Sequence, residues 1–346
     1  MKSGFTKFLP SATDQGARRL LSVFFAIVLG SGFSRPALAH DGPEHEIEEI
    51  TDRIKKEGES EDLLVQRAIE YRVLEKNAEA AKDLERALHF NPDSAMAQRE
   101  LARTYFALGK TNEALDTASR GIKNAADGAE RASLRIVRAE ILRERKEHQK
   151  ALEDADKAID EHPGNVEWYL LRSQLHVALK QKKDRIEGLE EGVKATGSGV
   201  LEAEWVDALI ENGEHKRALE KIEEELKDSR LQSSWLIRRA KVRLASGQKE
   251  EAKADLKAAM DELNARMTGR GPEAELRADR GMVHELLGNR EDAKKDYEHA
   301  RDKGVNEEWL RERLRVIREA EEREKKAAEK KEKEKKEQAK EKEPPV

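Results

Sequence analysis

The stretch Leu64 to Pro92, LVQRAIEYRVLEKNAEAAKDLERALHFNP, decides the fold when it is laid along the rest of the chain as a ruler. Its small residues return in step. Ala68, Ala102, Ala139, Ser173, Val206, Ala240 and Gly281 form one column, and Ala80, Ala114, Ala151, Arg185, Ala218, Ala252 and Ala293 form a second. Both columns advance by 34, 37, 34, 33, 34 and 41 residues, so they stay 12 apart even where the period changes. A third column, Ala87, Gly121, Ala158, Gly192, Glu225, Ala259 and Ala300, keeps the same register and breaks mainly at Glu225. Two helices joined by a tight turn approach closely only where side chains are short, and bulkier partners such as Tyr71, Tyr105, Leu84, Leu189, Ile222, Leu256 and Tyr297 then fill the gaps. Gly109, Gly213, Gly247 and Gly288 fall between the two helices of their units, where a helix end favours a left-handed residue, and Pro92 and Pro163 stop second helices.

A unit with small residues at its eighth and twentieth places, an aromatic at its eleventh and a proline near its end resembles the tetratricopeptide repeat. In 61–94 the motif positions hold Leu64, Ala68, Tyr71, Ala80, Leu84, Ala87 and Pro92. The likeness runs to about residue 307, with units near 61–94, 95–128, 132–165, 166–199, 199–232, 233–266 and 274–307. It implies an all-α, right-handed superhelical solenoid of about seven antiparallel helix pairs. The copies at 166–199 and 199–232 are degenerate, with His176, Arg185 and Glu225 where the motif prefers apolar or small residues, and local distortion is expected there. Two lengthenings, near Ala126 to Arg131 and around Ala265 to Pro272, are expected on loop edges.

Composition agrees with a thin layered stack. Only 37% of the 346 residues are hydrophobic, 40% are charged and 4% aromatic, which suits helix pairs that keep one side in water better than one thick core. Strand-length runs of β-branched or aromatic residues are scarce, so almost no sheet is expected. Residues 1–39 differ from the rest: Lys2, Lys7, Arg18 and Arg19 precede the apolar run Leu20 to Gly30, followed by Pro36 and the pattern Ala37-Leu38-Ala39. That reads as a secretory signal peptide cleaved between Ala39 and His40, giving an exported, periplasmic or secreted chain with no membrane span after cleavage. Removing five bases and one acid leaves 62 Lys plus Arg against 71 Asp plus Glu, a formal charge of −9, which disfavours non-specific nucleic-acid binding. Without cysteine there is no disulfide, thiolate zinc site or thiol nucleophile.

At the mature N-terminus, 40–60 reads as a polar leader, His40 to Glu46, before a helix that uses Ile47, Ile50 and Ile54 to meet the first unit. His40 and His45 are the weak metal candidates, since an amino-terminal amine and imidazole chelate Cu(II), but Gly42 stands where the usual copper motif has a third His. No cofactor is therefore expected. At the other end Leu310, Leu314 and Ile317 make a stripe suited to a capping helix over 308–320. Beyond it, 321–343 alternates nine acids with ten bases as a solvated helical tail reaching 346.

No His-Glu-x-x-His pair or Gly-x-Ser-x-Gly elbow is present, so a non-catalytic protein is expected. His176 and His284 stand at core-facing positions and are expected to be hydrogen-bonded structural histidines. The resemblance implies that the first helix of each unit lines a concave groove for a protein or peptide partner. Carried over residue by residue, it nominates Val65, Ile69 and Arg72; Arg99, Arg103 and Phe106; Glu140 and Arg143; Gln174 and Val177; then Asp207, Lys241, Met282 and Glu285. Arg99 and Arg103 lie one turn apart beside Phe106, a pattern suited to gripping a carboxylate or phosphate. The family's Lys and Asn clamp for a chaperone tail is not matched, the corresponding positions being Val65, Ile69, Arg99, Arg103, Ser133 and Val137. The expected function is an extracytoplasmic interaction scaffold or adaptor. A copper-handling protein and an envelope-complex assembly factor are the alternatives.

Overall fold

The structure is a computed structural model that describes residues 42–268, 273–305 and 308–340, with side chains described through Lys331. The segment expected to be a signal peptide, His40, the Gly269 to Pro272 segment and the last six residues lie outside the described residues.

Among the described residues the chain forms sixteen helices and no strand. After α1 (Pro43–Glu57) come seven antiparallel pairs: α2 (Glu61–Val73) with α3 (Asn77–Phe90), α4 (Ala95–Ala107) with α5 (Thr111–Asn124), α6 (Gly128–Glu144) with α7 (His148–Glu161), α8 (Val166–Ala178) with α9 (Lys182–Thr196), α10 (Gly199–Glu211) with α11 (His215–Asp228), α12 (Ser233–Ala245) with α13 (Lys249–Met267), and α14 (Glu273–Leu286) with α15 (Arg290–Asp302). The last helix is α16 (Glu308–Lys340). The chain divides into two compact units, one ending at Ser198 and one beginning at Gly199.

Each pair is made by the same local chemistry. Ser60, Ser94, Asp127 and Asn165 precede first helices, and their side chains accept from the backbone N–H of Leu63, Ala97, Glu130 and Glu167 at 3.3, 3.1, 2.9 and 2.9 Å. Every first helix ends on one left-handed residue seven places after the first small column: Glu75, Gly109, Lys146, Lys180, Gly213, Gly247 and Gly288, with φ between +57° and +84°. The next N–H then reaches back five residues, as in Lys76 to the Tyr71 carbonyl at 2.8 Å and Lys110 to that of Tyr105 at 2.8 Å, which satisfies carbonyls the helix leaves open and reverses the chain. Four of the seven positions are glycine, as the turn requires. Three are not.

The small columns meet as their periodicity demands. Ala68, Ala80, Ala87, Ala102, Ala114, Ala139, Ala151 and Ala158 are completely buried, as are Leu64 and Leu84 between them. At Gly281 an added Cβ would come within 2.6 Å of the Tyr297 ring, so the aromatic has taken the space of a missing methyl. The degenerate units depart as expected, and α8/α9 and α10/α11 pack less extensively than the other pairs. In the first of these, Arg185 donates from Nε to Ser173 Oγ at 3.0 Å, a hydrogen bond where the other units bring two small apolar residues together. His176 is buried with Nδ1 3.0 Å from Gln181 Oε1, a structural histidine.

Four units carry an ionic staple invisible to the apolar pattern. Arg67, Arg138, Arg239 and Arg280 on first helices each pair through Nε and Nη2 with both oxygens of the aspartate sixteen residues later, Asp83, Asp154, Asp255 and Asp296, at 2.7 to 3.0 Å. All four aspartates are buried. In the unit of α4/α5 the same two places hold buried Leu101 and Thr117. In that of α8/α9, Gly188 replaces the aspartate and the Arg172 guanidinium donates to its carbonyl at 2.9 Å.

Three expectations are corrected. The residues inserted near Ala126 do not form a loop: α6 starts at Gly128, so the insertion adds a turn to its beginning, and Asp127 caps it. Of the second insertion, Ala265 to Met267 extend α13, which runs for 19 residues. The polar leader is shorter than expected because Pro43, at the first position of α1, starts the helix and places His45 in its first turn. At the far end Leu310, Leu314 and Ile317 are buried against Ala293, Tyr297 and Ala300, capping the last pair. The docked part of α16 extends past Ala320, since Lys294 and Arg290 of α15 pair with Glu321 and Glu324 at 2.7 and 2.6 Å.

Candidate functional site

In the first unit α2 touches α4, α4 touches α6 and α6 touches α8, whereas second helices make no comparable contact with one another. First helices therefore sit on the inner side of the stack, and every nominated residue lies on a first helix. The second unit repeats this, α12 touching both α10 and α14.

The inner face of the first unit is organised by a residue that pattern reading passed over. Glu100 is buried on α4, and its carboxylate meets Arg99 Nε at 2.9 Å and Arg103 Nη1 at 3.3 Å, with Arg72 of α2 on its other oxygen. Burial pushes the Glu100 carboxyl up, but Arg103, Arg72 and Arg99 outweigh this and hold it below the ordinary glutamate value. Burial lowers the Arg72 guanidinium, helped by Arg103 and Arg99 and opposed by Glu100. The pair Arg99 and Arg103, expected to grip a partner's carboxylate, is thus already organised around one of the chain's own. The cue was present in sequence, since Glu100 lies between two arginines within a single turn.

Next along the face, burial raises Glu140 on α6 above the ordinary glutamate value against the pull of Arg103, Arg143 and Arg72, with Glu167 adding to the rise. Arg143 Nη1 donates to Gln174 Oε1 of α8 at 2.7 Å. Phe106 is half-buried and Val177 exposed, so the face also offers apolar surface. Val65 does not belong to it: only 4% exposed, it is a core residue, and Ile69 packs half-buried beside it.

In the second unit Asp207 accepts from Arg238 Nη2 and Nε at 2.7 and 3.1 Å, the guanidinium lying over the Trp235 ring. Burial lowers Lys241, which Asp207 opposes and Arg238 assists. Met282 packs half-buried on the core around Leu256 and Leu276, and Glu285 accepts from the Tyr297 hydroxyl at 2.9 Å while Arg313 approaches at 3.3 Å. These four residues all lie in the second unit. Of the metal candidates, His45 lies on α1 and His40 outside the described residues. The described residues hold no cluster of three His, Asp or Glu suited to a metal ion, and no helix among them is long and apolar enough to cross a membrane.

Residues 74–135 match the sequence model of the tetratricopeptide repeat family. No curated protein matches the chain. Similar solved structures include a tetratricopeptide repeat protein from Parabacteroides merdae, 18% identical over 80% of this chain and 98% of that one with a TM-score of 0.49. The C-terminal part of a repeat-containing protein from Cytophaga hutchinsonii is 14% identical over 72% and 99%, also with a TM-score of 0.49. Residues 74–135 thus carry the tetratricopeptide repeat signature, and the helix pair with one turn geometry that recurs on both sides of them forms a tetratricopeptide-like solenoid. Such repeats generally mediate protein–protein interaction.

Proposed function

We propose that this chain is a non-catalytic interaction scaffold that acts outside the cytoplasm and holds a peptide or protein segment along the inner face of its first helices. One observation carries the reading: α2, α4, α6 and α8 bring Arg72, Arg103, Arg143, Phe106 and Val177 to one face, a mixture of guanidinium and apolar surface of the kind that anchors protein segments. Its extracytoplasmic place is supported by the basic, apolar and small-residue order of 1–39.

A photo-crosslinking side chain placed in vivo at Val177, exposed on the inner face, is expected to capture a discrete partner, while the same group at Lys157 on α7 captures none. Equal capture at both positions, or capture at Lys157 alone, refutes the inner-face reading. Fractionation of the same cells tests the compartment, and retention in the cytoplasm refutes that part.

A further inference from the structure

We infer that the inner face of the first unit selects an acidic, extended segment of its partner, and that Glu140 is the residue that tempers this selectivity. The inference rests on the inner-face reading above and adds the partner's chemistry. Arg72, Arg99, Arg103 and Arg143 come from three successive first helices, and the two carboxylates set among them are Glu100 and Glu140. Glu144 and the exposed Glu167 stand at the rim, where water and salt screen them. Glu100 is buried beneath three guanidiniums whose side chains remain 20 to 28% exposed, so one buried negative charge is answered by three cations that still face the groove. Among the described residues Glu140 forms no hydrogen bond or ion pair, although its field reaches Arg103, Arg143 and Arg72. It subtracts charge from the face without being used to hold it together.

The layout suits a chain better than a single anion. Helices packed side by side lie about 8–10 Å apart, so a face crossing from α2 to α6 is roughly 20 Å long, the reach of about six extended residues. Phe106 between the arginines, and Val177 beyond them, give apolar contacts that a lone phosphate would not use.

The test is fluorescence anisotropy on the full chain with a fluorescein-labelled Glu-Ala repeat decapeptide and its Lys-Ala counterpart. The Glu-Ala peptide is expected to bind, with affinity falling as salt rises. Glu140→Gln, nearly isosteric, is expected to tighten it roughly tenfold by removing one like charge, and Arg143→Gln, which leaves the partners of Glu100 in place, to weaken it roughly tenfold. Four charged groups face Glu140: Arg72 from α2, Arg103 from α4, Arg143 from its own helix and Glu167 from α8. Its raised titration makes the parent bind more tightly relative to Glu140→Gln as the pH falls. Preference for the Lys-Ala peptide, or unchanged or weaker Glu-Ala binding by Glu140→Gln, overturns the inference. If neither peptide binds while crosslinking at Val177 persists, the acidic preference falls and the inner-face reading stands; if both fail, the reading falls too.

Discussion

Exchanging the staple of one repeat for the apolar solution of its neighbour tests what the Arg–Asp pairs contribute. Asp154 is buried, its side chain 5% exposed, and both oxygens are held by Arg138 at 2.7 Å. The Arg138 side chain is 26% exposed and also donates to Ser119 at 3.0 Å. Arg138→Leu leaves a buried carboxylate whose nearest remaining cation is Arg135 at 3.7 Å, and is expected to cost about 3–5 kcal/mol. Asp154→Thr leaves a guanidinium that can turn toward water, and its cost is expected to be smaller, about 2 kcal/mol. The double change recreates the Leu101 and Thr117 arrangement of the preceding unit, with neither charge left behind. Since replacing a buried pair by packed neutral groups is often neutral or stabilising, the double variant is expected within about 1 kcal/mol of the parent. Urea unfolding followed by far-UV circular dichroism, on the parent, both single variants and the double, closes the cycle. Additive costs would refute the reasoning, because they would mean that the two side chains act through separate contacts rather than through their mutual charge.

At the left-handed turn position, Lys146→Gly and Lys180→Gly are each expected to raise stability by about 1 kcal/mol, and Gly109→Ala to lower it by a similar amount, read as shifts in the urea midpoint. Glu140 titrates above its unfolded value, so between the two values the folded state binds the extra proton and stability falls as pH rises through that window. Glu140→Gln is therefore expected to be more stable than the parent at neutral pH, with the gain vanishing in acid below the unfolded value, as thermal unfolding against pH would show. Leu310→Ala and Leu314→Ala are each expected to cost about 2–5 kcal/mol of the stability of the last pair, exposing α15 to limited proteolysis, whereas ending the chain after Glu324 should leave α15 protected.

Much of this fold was legible because it is written in local, repeated terms. The columns through Ala68, Ala80 and Ala87 fix which faces of two helices meet, and Gly109, Gly213, Gly247 and Gly288 mark their turns, because both the 3.6-residue period and a positive φ restrict residue type directly. The Leu310, Leu314 and Ile317 stripe announced the cap for the same reason. The staples were also written there, as an arginine just before the first small column and an aspartate sixteen residues on, but in a chain so rich in charge no single pair stands out until the columns are aligned. Sequence could not decide where inserted residues go. Those near Ala126 became helix because Asp127 supplies a cap to whichever turn follows it.

The candidate site was less legible, and the reason is physical. Helical period alone places Arg72, Arg99, Arg103, Glu140 and Arg143 on first helices at positions facing one side. Packing between pairs is what brings Arg72 of one pair and two arginines of the next onto Glu100, spends Val65 on the core, and leaves Glu140 half-buried among their fields. Helical period assigns a face to each residue, whereas the balance among charges on that face depends on distances between different helices, which follow from how closely the buried alanines let the pairs approach.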